Sequence, residues 1–150
     1  MRFHLNVLLG AALAIQLVPY GRRHDNPAVV REPPWDRPRT RDLFFRACKD
    51  CHSHETTWPW YSSVAPVSWL VRWDVSEGRS HLDVSDWNER EHHGDEAAKL
   101  VRQGKMPPWY YLLAHPEARL SDPDRGALVL GLVATFGEEG AGRSPHPHDH

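Results

Sequence analysis

The sequence predicts an all-α domain, a few short helices joined by irregular segments. Three observations carry this reading. Apolar residues recur at i, i+3 and i+4 spacing in several separate stretches, strand-like alternation is absent over any useful length, and no repeat of fixed period is present. Thirteen Pro and ten Gly among 150 residues, with a mean hydropathy of -0.62, point to much irregular chain between the helices. At this length one compact core is expected rather than two. The 18 basic and 20 acidic residues leave a net charge of -2, so the chain has no basic surplus for a phosphate backbone and nucleic acid is disfavoured as a partner.

Residues 1–20 open with Arg2 and His4 and continue in an apolar run from Leu5 to Val18, interrupted by Asn6 and Gln16 and stopped by Pro19. This reads as a signal anchor or a signal peptide, with Ala12-Leu13-Ala14 as a small-x-small cleavage pattern. The run is short of the roughly 20 apolar residues of a full membrane span. Residues 21–38, with Asn26-Pro27, Pro33-Pro34 and Arg37-Pro38, read as an extended linker. The domain proper is expected over 39–137. Its first helix runs from about Arg39 to Asp50 with Leu43, Phe44 and Ala47 on one face. A second from about Pro66 to Arg79 offers Val67, Leu70, Val71 and Val75 as its buried stripe. A third, about Asp95 to Gln103, presents Ala97, Ala98, Leu100 and Val101 and stops at Gly104. The last starts at the cap Ser121 with Pro123 in its first turn, buries Leu128, Leu132 and Phe136 with Val129 and Val133 alongside, and ends at Gly137. Residues 138–150 are Gly-, Pro- and His-rich and read as a disordered tail, with weak divalent-metal binding by His146, His148 and His150 as the competing reading.

The only cysteines, Cys48 and Cys51, stand three apart and are followed by His52. C-x-x-C-H is the pattern of covalent haem attachment, in which two thiols add to the haem vinyl groups and the adjacent imidazole ligates iron. One helical turn puts both sulfurs on the same side of the chain. A redox dithiol would want a βαβ context, and a zinc site would need two more ligands from His54, His81, His92, His93 or His115. Haem c is therefore the expected cofactor. Met106, on a stiff loop before Pro107-Pro108, is the expected distal ligand; His81, His92, His93 and His115 are its rivals, and His54 lies too near His52 to reach the opposite face. Trp58, Trp60, Tyr61, Trp69, Trp109 and Tyr110 flank the two ligand loops and are candidate walls for a flat apolar macrocycle. Arg46 or Arg72 could pair with a propionate.

Ala47-Cys48-Lys49-Asp50-Cys51-His52-Ser53, Trp58-Pro59-Trp60-Tyr61, Val64 to Leu70, Gly104-Lys105-Met106-Pro107-Pro108 and Tyr111 to Ser121 together resemble the bacterial haem-binding domain family of small cytochrome c-like proteins. The resemblance spans roughly Pro38 to Phe136. It implies an exported, often N-terminally anchored protein of cytochrome c-like fold, packed around one covalent haem, with Cys48 and Cys51 as attachment points and His52 as proximal ligand. Met106 falls where a distal ligand is expected, and His115 falls in another recurrent block. His54 stands where a typical member has Asn. The functional expectation is electron transfer through a His/Met-ligated haem in the periplasm, tethered to the inner membrane and serving redox partner proteins. The alternatives are a haem peroxidase-like enzyme, with His54 or His115 as its acid-base group, and a non-catalytic haem module of a membrane redox complex.

Overall fold

The computed structural model describes residues 2–88 and 94–137. His92, His93 and the tail 138–150 lie outside the described residues. Seven α-helices are present among these: α1 (Arg2–Ala14), α2 (Pro38–Ala47), α3 (Lys49–His52), α4 (Val67–His81), α5 (Gly94–Arg102), α6 (Trp109–Ala114) and α7 (Asp122–Phe136). Single 3-10 turns follow α1, precede α4 and follow α6. The one β-type contact among the described residues is an isolated bridge between Arg31 and Asp86.

The helix ends follow local chemistry. The Ser121 side chain accepts the Asp124 N–H at 3.2 Å and caps α7, while the Asp124 carboxylate takes Arg39 and Arg46. Gly104 and Gly137, at φ +67° and +87°, stop α5 and α7 as expected. The first domain helix is two helices rather than one. α2 begins with Pro38 at its first position and ends at Ala47, because Cys48 leaves the helical region (φ -128°, ψ -19°) before α3 resumes.

The core joins Leu43 and Phe44 of α2, Leu82, Val84 and Trp87 after α4, Ala98 and Val101 of α5, and Leu128, Val129 and Leu132 of α7. Burying Phe44, Leu128 and Leu132 contributes roughly 1.5–3 kcal/mol each. An exposed ion pair supplies about 0–1 kcal/mol, so the packing of α2, α5 and α7 holds the domain. Where α2 crosses α7, Gly131 lies so close to buried Thr40 that a Cβ would overlap its hydroxyl.

α4 departs from the expected face. Val67 and Leu70 are 42% and 47% exposed, whereas Ser68 and Val75 are buried. Small residues win because this helix is packed against main chain: Ser68 meets the backbone at Gly21, and Gly78 meets the carbonyl of Cys51. The larger apolar residues cannot face inward at that separation. α6 is a further helix, at a place where the periodicity had indicated none.

Of the expected linker 21–38, residues 22–37 are largely extended, as their prolines require, and lie along the domain, while Pro38 already belongs to α2. Val30 and Arg31 donate to Ser85 O at 2.8 and 3.1 Å, and Trp87 N–H returns a bond to Arg31 O at 3.0 Å. Trp35 packs onto the core and donates its indole N–H to Glu32, which also receives both ends of the Arg41 guanidinium at 2.7 Å. The Arg41 hydrogen bonds hold the Glu32 carboxyl below its usual range, against the opposing effect of burial.

Two outcomes follow from this packing. Gly131→Ala should lower unfolding stability by about 1–3 kcal/mol through overpacking against Thr40, whereas Gly126→Ala in the same helix, with open space around it, should raise it by about 0.5–1 kcal/mol. Urea unfolding of both variants checks the contrast. Because Glu32 has its folded pKa depressed from 4.5, its contribution is complete above that value and is lost as the pH falls through the lowered one. Glu32→Gln should therefore cost about 1 kcal/mol at pH 7, allowing for partial exposure of the pair. The difference from wild type should close as the pH falls below 4.5, in urea titrations across that range.

Candidate functional site

The motif turn is built by one carbonyl. Cys48 O accepts the N–H of Cys51 at 3.2 Å and of His52 at 3.1 Å, which folds the two cysteines and the histidine into a single tight turn at the end of α2. Neither cysteine is in a disulfide. Burial pushes both thiols up to about 12, aided at Cys48 by Cys51 and at Cys51 by the carboxylates of Asp74 and Asp50. Burial thus disfavours the thiolate on which disulfide exchange depends. Among the described residues no three His, Cys, Asp or Glu side chains gather as a metal set.

His52 is oriented from outside the motif. Its Nδ1 donates to Leu82 O at 3.0 Å, and burial lowers its pKa, so the ring is neutral with the lone pair on Nε2. Phe44 packs edge-on to the ring at 6.3 Å. The main chain is held on both sides: Val84 N–H donates to His52 O at 2.9 Å, and Arg79 donates to Ser53 O, Asp25 O, Asn26 Oδ1 and Thr56 Oγ1. Arg79 was not legible in the sequence, because its partners come from segments 23 to 54 residues away.

Beside Cys51 lies a cleft of about 50 Å³ lined by Asp50, Thr56, Thr57, Pro59, Tyr61, Val71, Asp74, Val75, Tyr111 and His115. α6 closes it. Tyr111 donates its hydroxyl to Asp50 Oδ2 at 2.8 Å and stacks on His115 at 4.1 Å. Tyr110 donates to Asp74 at 3.3 Å. Burial and the Asp50 carboxylate push the Tyr111 phenol well up, and burial raises Asp74. Ligand pockets enclose roughly 300–1,000 Å³, so the cleft as it stands is smaller than a tetrapyrrole would need.

The structure brings some of the expected residues together and not others. Tyr61 lines the cleft. Trp60 and Trp109 are 80% and 73% exposed and stand outside the lining. Trp58 stacks on His24 at 4.7 Å and bonds Asn26, while Trp69 is half-buried with its indole N–H lacking a hydrogen bond. Met106 is half-buried against the same core cluster as Cys48. Its rival His115 has both nitrogens occupied: Nδ1 donates to Glu117 at 3.0 Å and Nε2 accepts from the Tyr61 hydroxyl at 2.8 Å. His54 is likewise held at both nitrogens, by Ala28 O and Asp83, and His81 is bound within its own helix. Arg46 pairs with Asp124, and Arg72 has no hydrogen-bond or ion-pair partner among the described residues. Asp50, Asp74 and Tyr111 were missed as site residues; the first sits inside the motif and carried that signal.

An all-α domain that presents two protonated thiols and a tautomerically fixed imidazole on one turn defines a small prosthetic-group protein. The profile of the haem-binding domain family matches residues 10–133, and the chain belongs to that family. Comparison with curated proteins and with solved structures finds no match. The donor set fits haem in kind, with two unbridged thiols and a neutral imidazole on one turn; of the three side chains Cys51 lines the cleft, beside the apolar Val71 and Val75, while Cys48 and His52 stand outside its lining.

Tyr111→Phe, which removes the bond to Asp50, should speed alkylation of Cys51 in the haem-free protein about tenfold, the factor that roughly 1.4 kcal/mol of lost hydrogen bonding gives. Mass mapping of iodoacetamide-treated protein reads this directly, and an unchanged rate would remove Tyr111 as the closure.

Proposed function

We propose that the chain is a c-type haem protein that transfers electrons, with the haem joined to Cys48 and Cys51 by thioether bonds and its iron held by His52 and Met106. The observation that carries this reading is the hydrogen bond from His52 Nδ1 to Leu82 O beside two protonated, unbridged thiols. A metal-binding imidazole is ordinarily fixed by such a bond at its other nitrogen. Bound there, the haem supplies a one-electron ferric–ferrous couple.

The chain's own residues do the positioning. Met106 is favoured over His115 as the distal ligand because its backbone N–H is bonded to Leu100 O at 3.3 Å, the rigid Pro107-Pro108 follows it, and its thioether has no competing hydrogen bond, whereas His115 would have to break two. A thioether ligand raises the reduction potential relative to a second histidine. Of Arg46 and Arg72, Arg72 is the one without a hydrogen-bond or ion-pair partner among the described residues, and it is the candidate to meet a propionate. The apolar N-terminal helix supports a place in the periplasm, tethered to the inner membrane, where redox partner proteins meet the domain. Leu5, Leu8, Leu9 and Leu13 of α1 are all more than half exposed. No helix among the described residues is long and apolar enough to cross a membrane.

Protein produced with a haem-maturation system should give a pyridine haemochrome spectrum of the c type and an intact mass increased by one haem. The oxidised form should show a methionine-to-iron charge-transfer band that Met106→Ala abolishes. A band that survives the substitution transfers the distal role to another residue, and an intact mass without haem refutes covalent attachment.

A further inference from the structure

We propose that Trp60, Val64, Val67 and Leu70 form a docking face for the headgroup–acyl boundary of a lipid bilayer, seated on the same membrane that receives α1. The proposal rests on the tether reading above and adds to it a surface of the folded domain. Its basis is the way the N-terminal segment is pinned to the domain.

From Leu5 to Ala14, α1 is apolar on every side but for Asn6. Successive residues Val7, Leu8 and Leu9 step around the helix by 100° each, yet all are more than half exposed, as is Leu5. A helix of that kind has no aqueous face and belongs in lipid or a core. Its thirteen residues span about 20 Å, against a hydrocarbon thickness of about 30 Å. A segment too short for the bilayer is accommodated by drawing its flanks into the interface. Those flanks are Leu17, Val18 and Tyr20, respectively 84%, 42% and 51% exposed.

The same flank is fastened to the domain at two points. The Gln16 side chain makes a two-way clasp on one residue, donating to Ala65 O at 2.9 Å and accepting Ala65 N–H at 3.0 Å. Five residues on, Gly21, at φ +83°, lets the backbone press against the Ser68 carbonyl, a contact that any Cβ would block. Chain 65–68 therefore sits beside the segment that leaves α1. Around this buried pin the large side chains point outward: Trp60 at 80%, Val64 at 43%, Val67 at 42% and Leu70 at 47% exposure. None of the four lines the cleft, whose α4 residues are Val71, Asp74 and Val75. An exposed indole among aliphatic side chains suits the membrane interface, where Trp is enriched. Arg22, which bonds Gln16 O, and the exposed Arg23 place two guanidinium groups beside the pins, where anionic headgroups attract them. Because Pro59 and Tyr61 of the cleft flank Trp60, docking this face would also fix the height and tilt of the cleft above the membrane.

The test is hydroxyl-radical footprinting of the full haem-loaded chain in phosphatidylglycerol–phosphatidylethanolamine vesicles, with oxidation of Trp60 and Trp109 read by peptide mass. Trp109 on α6, 73% exposed against 80% for Trp60, serves as the internal control, and each indole's rate is referred to its own rate in the same haem-loaded chain without vesicles. The expected result is flotation with the vesicles and at least fivefold slower oxidation of Trp60 than of Trp109. Flotation with equal oxidation of the two overturns the docking face and leaves the tether standing. Failure to float overturns the tether, and the face with it. Protection of Trp60 that grows with the protein-to-lipid ratio assigns the face to a second copy of the chain and also overturns the proposal.

Discussion

The site depends on a close approach between main chains: the Cys51 carbonyl lies against α4 at Gly78, with no side chain between them. From that contact the rest of the ligand geometry follows. One turn on, the end of α4 brings Leu82 O to His52 Nδ1, and the residue next to Gly78, Arg79, reaches the loop that leaves the motif. A single helical turn, 78–82, thus supports the motif, selects the histidine tautomer and clasps the chain beyond it. A larger residue at 78 would separate two surfaces that carry all three functions.

On the cleft side the construction is of a different kind. The floor is apolar, from Val71 and Val75, while the cover is held by hydroxyl bonds from Tyr111 to Asp50 and from Tyr110 to Asp74, and by the stack of Tyr111 on His115. The cover is a six-residue helix with no fully buried side chain, whereas the Phe44, Leu128 and Leu132 core beneath is nearly sealed. Such an element opens at much lower free energy than the core unfolds. The division sets a tightly held ligand turn beside a cover that is fastened mainly by side-chain hydrogen bonds. It also accounts for the uneven use of aromatics around the site, since Tyr61 and Tyr111 present hydroxyls to the cleft while Trp60 and Trp109 turn outward.

Much of the framework was legible because it is written in neighbouring residues. Ser121, Pro123 and Gly137 bound α7; Gly104 ends α5; and the spacing of Leu43, Phe44 and Ala47 names the buried face of α2. The motif was legible for the same reason, as its turn closes within five residues through Cys48 O. Reading failed where burial is decided by backbone proximity. α4 carries a convincing apolar row, yet Ser68 and Gly78 face inward because Gly21 and Cys51 come too near for Val67 or Leu70. Gly78 lies inside α4, three residues before its last residue His81, where only a missing side chain admits the Cys51 carbonyl.

By itself the sequence determined the helical class, the helix caps, the pairing of two thiols with an imidazole and the isolation of Met106 before two prolines, since each is set by bonds and torsions within a few residues. The tertiary structure alone decided which side of α4 is buried, which carbonyl holds His52, that Tyr111 and Asp50 meet across 61 positions, and that Gln16 grips Ala65 across 49. Those are contacts between distant segments, and their energies exist only once the core has brought the segments together.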